Sequence, residues 1–298
     1  MYLEGYRGFK SLSLRMSIFE ALILGIVQGI TEFLPVSSSG HLVLFQRIFG
    51  ITEPAMVFNI AVHVGTLVAV LAVLRRDIWN LLIRIAQPLT LYVIIGTIPL
   101  VLVALFFRDL IEKAFATGAT LGFAFLVTSA LLIASDRLYR RGGKKSNAFL
   151  DKLTPPTPPR MQSEMTWKDA LFIGVLQAVA IIPGISRSGA TISAALTRRL
   201  DRDFAARFSF LLSIPTILGG VVLYLNEFAA TGAAPTGEGY IGLLPILVGS
   251  ISACIVGFFS VRFTIKMVRE RSLVGFAVYT GILGTLVLVD QFGANFFF

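Results

Sequence analysis

A long apolar stretch near the start of the chain is broken by Gln28, Glu32, three consecutive serines (Ser37, Ser38 and Ser39) and His41. No other feature restricts the fold as much. Polar and ionisable groups at membrane depth are costly, so they face a cavity or the protein interior. Gly29, Pro35 and Gly40 interrupt the helical pattern in the same stretch. Broken helices at that depth are tolerated only beside protein or a water-filled cavity. Residues 17–49 are therefore expected to form two half-helices that meet near residues 35–38. A capping box opens the first of them, with Ser17 and Glu20 placed to satisfy the first free backbone N–H groups.

Composition places that stretch in a membrane. The chain is 55% hydrophobic and only 14% charged, with a mean hydropathy of +0.81, whereas a soluble domain carries about 25% charged residues. Apolar runs at 57–74, 89–107, 114–135, 208–225, 241–261 and 272–289 are each near the roughly 20 residues that a membrane-crossing helix needs. The net charge of +9 comes from basic residues gathered in the loops between these runs. That is the positive-inside bias of a membrane protein rather than a nucleic-acid-binding surface. Cys254 is the one cysteine, so no disulfide forms within the chain. Residues 1–16 read as a polar-aromatic extension with no removed signal peptide.

The broken segment occurs twice. With a shift of 149, Ser17 and Glu20 become Thr166 and Asp169, a second capping-box pattern. Ala21, Leu22, Gly25 and Gln28 become Ala170, Leu171, Gly174 and Gln177, while Ser37, Ser39 and Gly40 become Ser186, Ser188 and Gly189. Pro183 stands one place early for Pro35, and with a shift of 150 Phe58 and Thr66 meet Phe208 and Thr216. The chain divides accordingly into a first repeat over 17–135, a linker over 136–165 and a second repeat over 166–298. The linker is basic, and Thr154-Pro155-Pro156-Thr157-Pro158-Pro159 within it reads as a polyproline-II spacer.

Loop charge sets the orientation. Loops 75–88, 136–168 and 262–271 are basic and belong in the cytoplasm, whereas loop 108–113 is balanced and loop 226–240 holds Glu227 and Glu238 with no base. Three crossings then separate the repeats, and an odd number inverts the second. The expected fold is all-α and integral to the membrane, with six transmembrane helices and two re-entrant broken-helix hairpins in an inverted-topology repeat. Such repeats put their site near the midplane, where the hairpin tips meet. Arg7, Lys10 and Arg15 run against the charge rule, since they fall outside.

The tips carry the chemistry. Gln28 and Glu32, four apart, share a helix face, and Glu32 reads as a metal ligand or general base, with a carboxylate bonded to backbone N–H groups as the plainer alternative. Ser37, Ser38 and Ser39 precede a half-helix whose N-terminus favours anions; simple N-capping accounts for one serine only. His41 is placed to donate a proton or to bond a phosphate, or else to join two helices. His63 reads as a helix–helix hydrogen bond, because its repeat mate is Ser213. In the second tip, Arg187 lies between Ser186 and Ser188, ahead of Thr191, and its planar fork suits phosphate. Together these groups suit phosphoryl transfer on a lipid substrate. A lipid-phosphate transporter or flippase shares the architecture and is the alternative.

The motifs Gln28-Gly29-Ile30-Thr31-Glu32-Phe33-Leu34-Pro35-Val36-Ser37-Ser38-Ser39-Gly40-His41 and Pro183-Gly184-Ile185-Ser186-Arg187-Ser188-Gly189-Ala190-Thr191 resemble those of the bacterial undecaprenyl pyrophosphate phosphatases, the bacitracin-resistance phosphatases. The resemblance runs through most of 17–290. It implies a multi-pass enzyme of the bacterial inner membrane, open to the outer face, that hydrolyses undecaprenyl diphosphate to the monophosphate used in peptidoglycan synthesis. It implies a divalent metal, Mg2+ or Ca2+, on Glu32. It gives the essential roles to Glu32, Ser38, His41 and Arg187, with Ser186 and Thr191 assisting on phosphate; Gln28, Ser37, Ser39 and Ser188 at the tips are further candidate phosphate-binding residues, and the nucleophile is either Ser38 or a metal-activated water. The expected partners are the polyprenyl diphosphate and the bilayer, with no nucleic acid and with a homodimer left open. Some relatives carry Glu where this chain has Gln28.

Overall fold

A computed structural model of the chain describes residues 16–51, 55–142, 158–231, 241–294 and 296–297. The N-terminal extension before Met16, residues 143–157 of the linker with most of its proline-rich spacer, and residues 232–240 of the acidic loop lie outside the described residues.

Both capping boxes form where the repeat puts them. Ahead of α1 (Ile18–Thr31), the Ser17 N–H donates to the Glu20 carboxylate at 2.6 Å and the Glu20 N–H donates back to Ser17 Oγ at 3.1 Å. Ahead of its counterpart, the Thr166 N–H donates to Asp169 at 2.9 Å and the Asp169 N–H donates to Thr166 Oγ1 at 3.4 Å. Each reciprocal pair satisfies two backbone donors, and losing such a cap costs about 1 kcal/mol.

Each apolar segment then breaks as expected. In the first hairpin α1 ends at Thr31, a turn carries Pro35, and α2 (Ser38–Ile48) restarts behind Ser37. In the second, the corresponding helix (Trp167–Val179) ends, the chain turns through Pro183, and an inner helix (Arg187–Thr197) restarts behind Ser186. Proline has no N–H to give to a helical bond and disfavours helix in the residue before it, so each break lies in the sequence itself.

The remaining helices number in order as α3 (Met56–Val73), α4 (Arg75–Ile83), α5 (Pro88–Phe106), α6 (Arg108–Thr117) and α7 (Leu121–Gly142). The second hairpin supplies α8 (Trp167–Val179) and α9 (Arg187–Thr197), followed by α10 (Arg202–Thr231), α11 (Leu243–Glu270) and α12 (Val274–Val289). Six of these, α3, α5, α7, α10, α11 and α12, are long and apolar enough to cross a membrane. Among the described residues there is no strand, only an isolated bridge between Arg160 and Leu200.

Two expected boundaries move. Residues 114–135 do not form one span: α6 closes at Gly118, whose φ of 63° is a left-handed helix end, and the crossing helix begins afresh at Leu121. The stretch read as loop 75–88 likewise contains α4, which has no buried residue and exposes Trp79, Leu82 and Ile83. Short helices of this kind, charged on one side and apolar on the other, suit a membrane interface.

Helix neighbours exchange with the repeat. α1 lies against α11, and its counterpart α8 lies against α5, the counterpart of α11. The pairs α3·α10 and α7·α12 each join a helix to its own counterpart. Equivalent glycines make the close approaches. A Cβ on Gly25 would sit 2.3 Å from the Gly249 carbonyl, and one on Gly174 would sit 2.5 Å from that of Gly96. At the centre runs α9, buried continuously from Ser188 to Leu196 and packed among Phe33, Phe208, Leu132 and Ile265. The outer face of α5, with Ile94, Ile98, Val101 and Leu105, is exposed, as a lipid-facing surface is.

Candidate active site

Glu32 follows the last turn of α1 and is 5% exposed. The C-terminal end of a helix carries partial negative charge, and burial removes water, so a carboxylate here needs donors from elsewhere. They come from both hairpins. Arg187 Nη2 donates to Oε1 at 2.7 Å. The Ser38 hydroxyl donates to Oε2 at 2.6 Å and Gln28 Nε2 donates to the same oxygen at 3.0 Å. His63 Nε2, from α3, stands 3.5 Å from Oε2.

Ser38 and Arg187 occupy the same place in the two repeats, 149 residues apart, and each is the first residue of its inner helix. Two equivalent positions therefore meet on one carboxylate, and both bring a helix N-terminus, the end that favours anions. The serines before them are equivalent too. Ser37 Oγ accepts the Gly40 N–H at 3.3 Å and Ser186 Oγ accepts the Gly189 N–H at 3.0 Å. Ser39 lies 3.3 Å from Ser37, and Ser188 lies 3.3 Å from Ser186. Ser37 holds a φ of 71°, a left-handed conformation strained for a serine; such strain gathers at functional sites.

Not every expected site residue reaches Glu32. Ser188 donates to the Leu34 carbonyl at 2.9 Å and so ties one tip to the other. Thr191 is buried, bonded to the Arg187 carbonyl at 2.9 Å and to Ser209 at 2.6 Å. Thr128 clamps the second turn, accepting the Ser186 N–H at 2.9 Å and donating to the Gly184 carbonyl at 3.1 Å. His41 has both ring nitrogens in use: Nδ1 lies 2.7 Å from the Ser37 carbonyl and Nε2 lies 2.7 Å from the Tyr279 hydroxyl. A carbonyl only accepts, so Nδ1 carries the proton and, in the neutral ring, Nε2 accepts from the tyrosine. The ring also stacks on Tyr279 at an interplanar angle of 9°.

The imidazole beside Glu32 is His63 instead. Its Nδ1 bonds the Asn59 carbonyl at 2.6 Å, one turn back along α3, which turns Nε2 toward the carboxylate. Comparison with its mate Ser213 hid this role. The signal that finds it is the one that singled out Glu32: an ionisable group in an otherwise apolar span.

Two polar atoms at this junction are buried and unbonded, Arg187 Nη1 and Gln28 Oε1. Buried polar groups are almost always paired, so one donor and one acceptor beside Glu32 await a ligand. A phosphate oxygen fits the donor. A hard cation fits the acceptor together with the carboxylate. Among the described residues, no group of three His, Cys, Asp or Glu side chains could hold a metal alone. An ion here would depend on Glu32, Gln28 Oε1 and oxygens from the substrate and water, the way Mg2+ is bound beside phosphates.

A family model described as bacitracin resistance protein BacA matches residues 21–286. The chain is 45% identical over 281 residues to an undecaprenyl-diphosphatase of Carboxydothermus hydrogenoformans, covering 94% of this chain and 100% of that protein. It is 40% identical over 277 residues to undecaprenyl-diphosphatase 4 of Bacillus thuringiensis, covering 93% and 98%. With an undecaprenyl-diphosphatase of Halothermothrix orenii it shares 37% identity over 276 residues, covering 92% and 98%.

Proposed function

The chain belongs to the bacitracin resistance protein family, and from that premise we propose that it is an undecaprenyl-diphosphatase whose reaction runs at the junction of the two hairpins. It is a multi-pass membrane enzyme acting on a lipid diphosphate. The product, undecaprenyl phosphate, returns to peptidoglycan synthesis, and its regeneration underlies bacitracin resistance.

One observation carries the mechanism: Ser38 donates to Glu32 at 2.6 Å while Arg187, from the other repeat, holds the same carboxylate at 2.7 Å. The terminal phosphate sits against the free Nη1 of Arg187 and the N-termini of α2 and α9. Glu32 takes the Ser38 proton as Oγ bonds to the terminal phosphorus. The bond from that phosphorus to the bridging oxygen breaks, and undecaprenyl phosphate leaves with the electron pair. Water then attacks the phosphoserine phosphorus, the bond from Oγ to phosphorus breaks, Glu32 returns its proton to Ser38 Oγ, and phosphate leaves with the oxygen and protons of the water. The leaving group is a phosphate, so the reaction needs positive charge more than an acid, and Arg187 provides it in a water-poor site. A divalent cation, Mg2+ or Ca2+, held by Glu32 and Gln28 Oε1, supplies further positive charge on the diphosphate oxygens when bound. His63, next to Glu32, is placed to relay the proton. His41 fixes the turn that presents Ser38, through the Ser37 carbonyl.

The two hairpins enter a bacterial inner membrane from opposite faces, as an inverted repeat, and the site opens outward. The exchange of helix neighbours between repeats and the basic loops at one end of the bundle support this reading. The deciding experiment is phosphate release from polyprenyl diphosphate by the purified protein in detergent. Release that depends on Glu32 is expected. No release, with headgroup translocation in vesicles, would replace the hydrolase by a flippase.

A further inference from the structure

At the end of the bundle where the basic loops gather, a cleft of about 440 Å³ opens between the close of α7, the start of α10, the close of α11 and the turn ahead of α12. Five arginines line it, Arg140, Arg199, Arg202, Arg269 and Arg271, with Glu270 the one acid in the wall. It lies beyond the far end of α9 from Arg187, and eleven helical residues separate the two by about 16 Å. It is therefore not the diphosphate site.

The cleft is built. Asp136, 2% exposed, accepts from Arg202 at 2.5 Å, from Arg140 Nε at 2.8 Å and from Ser272 at 2.8 Å, so one buried carboxylate fixes three wall residues. Arg202 also donates to the Arg271 carbonyl at 2.7 Å and lies over the Tyr139 ring. Arg199 is held at a φ of 61°, where a side chain other than glycine's is strained. A short bridge keeps it there: the Arg160 N–H donates to the Arg199 carbonyl and the Asp201 N–H to the Arg160 carbonyl, both at 2.8 Å. Arg160 is anchored in turn on the buried Asp169 at 2.8 Å. Counting Asp136 and Asp203, which pair with wall arginines, cations outnumber acids five to three around the cleft, and Arg269 is paired with Glu270 at 2.9 Å.

We propose that this cleft binds a phosphate ester, the headgroup of an anionic phospholipid from the leaflet at that end. Guanidinium forks match phosphate oxygens two at a time, and basic pockets between membrane helices at a positive-loop face recognise such headgroups. The volume is large for inorganic phosphate alone and falls within the range of ligand pockets. The Tyr139 ring and the two prolines, Pro158 and Pro159, add apolar wall for the glycerol and upper chain.

Native mass spectrometry of the full, delipidated chain titrated with phosphatidylglycerol, phosphatidylcholine of the same acyl chains, or inorganic phosphate tests this. Phosphatidylglycerol should bind in preference. The double variant Arg199→Asn, Arg271→Gln should weaken it by about 25-fold, fivefold for each charge removed near a membrane surface. Asn is chosen at 199 because it tolerates the left-handed backbone. Arg75→Gln, at the same end but outside the cleft, should bind as the wild type does. If the double variant does not fold, Arg271→Gln alone carries the test, with a fivefold loss expected. Equal binding of the two lipids, or wild-type binding by the variants, would overturn the proposal. Displacement by millimolar inorganic phosphate would keep the phosphate chemistry and reject the lipid as its source.

Discussion

Replacing Arg187 by lysine preserves charge and removes geometry. In the native site the guanidinium reaches Glu32 at 2.7 Å through Nη2 and leaves Nη1 buried and unbonded. In the proposed mechanism one planar group serves two anions at once, the carboxylate and the incoming phosphate. An ammonium is a single nitrogen with three donors around one point. Held on Glu32 it reaches phosphate poorly; drawn to phosphate it leaves a carboxylate that is 5% exposed with one donor fewer. Either way the transition state loses about one charged hydrogen bond, some 2–4 kcal/mol in a water-poor site. Turnover should fall by about 30- to 1000-fold. The fold should survive, because a cation still faces Glu32. Arg187→Ala should additionally lower the melting temperature, since breaking a buried pair costs about 3–5 kcal/mol. The assay is phosphate release from polyprenyl diphosphate in detergent, with thermal denaturation of each variant beside it. Lysine turnover within threefold of the wild type would refute the two-anion clamp, as would an alanine variant as stable as the lysine one.

Further predictions rest on single contacts. Ser38→Ala should abolish turnover and leave no acid-stable phosphoserine on rapid quenching, whereas water attack would leave a slow but measurable rate. Gln28→Glu replaces the amide that donates to Glu32 at 3.0 Å with a second carboxylate. Like charges that close raise one carboxyl pKa, so this variant should need more divalent cation, and a chelator should inhibit it more steeply than the wild type. Asp169→Asn should destabilise the fold by about 1.5–3 kcal/mol, because it removes the charged hydrogen bonds to Arg160 and Arg198, which themselves keep partial access to water. Burial disfavours the Asp169 charge, but hydrogen bonds from Arg160, Arg198 and Thr166 outweigh it and hold the carboxyl well below its usual range. Its stabilisation is therefore fully present above the unfolded carboxylate value, about 3.9, and fades only as pH falls beyond that. A melting temperature that tracks this residue between pH 5 and 8 would contradict the assignment.

What was legible in the sequence was local or repeated. Capping boxes name their own partners three residues away, and Pro35 and Pro183, each near glycine and serine, mark the two breaks, whereas Pro99 and Pro215 stand inside unbroken helices. A shift of 149 residues made the second hairpin readable from the first. The short helices α4 and α6 escaped because their charges were counted toward loops, although charge on one helical face is compatible with helix. Contacts between distant elements left no such trace. The Tyr279 hydroxyl that takes up His41 lies 238 residues away, and nothing in either segment names the other. His63 was set aside because its counterpart is a serine, a comparison that assumes both halves of the repeat do the same work.

They do not, and the asymmetry is where function enters. The position equivalent to Glu32 is Ile181, and that equivalent to Ser38 is Arg187. One half contributes the carboxylate and the hydroxyl; the other contributes the cation. Even the paired amides diverge, since Gln28 donates to Glu32 whereas Gln177 donates to the Gly96 carbonyl at 3.1 Å. Glu32 lies at the negative end of its own helix, and Ser38 and Gln28 provide donors but no charge. A buried carboxylate without a cation is among the costlier defects a protein core can carry. The bond from Arg187 to Glu32 therefore stabilises the meeting of the two halves and gathers the groups proposed to react in the same contact, with Ser188 on the Leu34 carbonyl fixing the register beside it. On the proposed mechanism, docking of the hairpins and formation of the phosphate site are one event, and for that reason activity and stability should fall together when the cation is lost and separate when only its shape is changed.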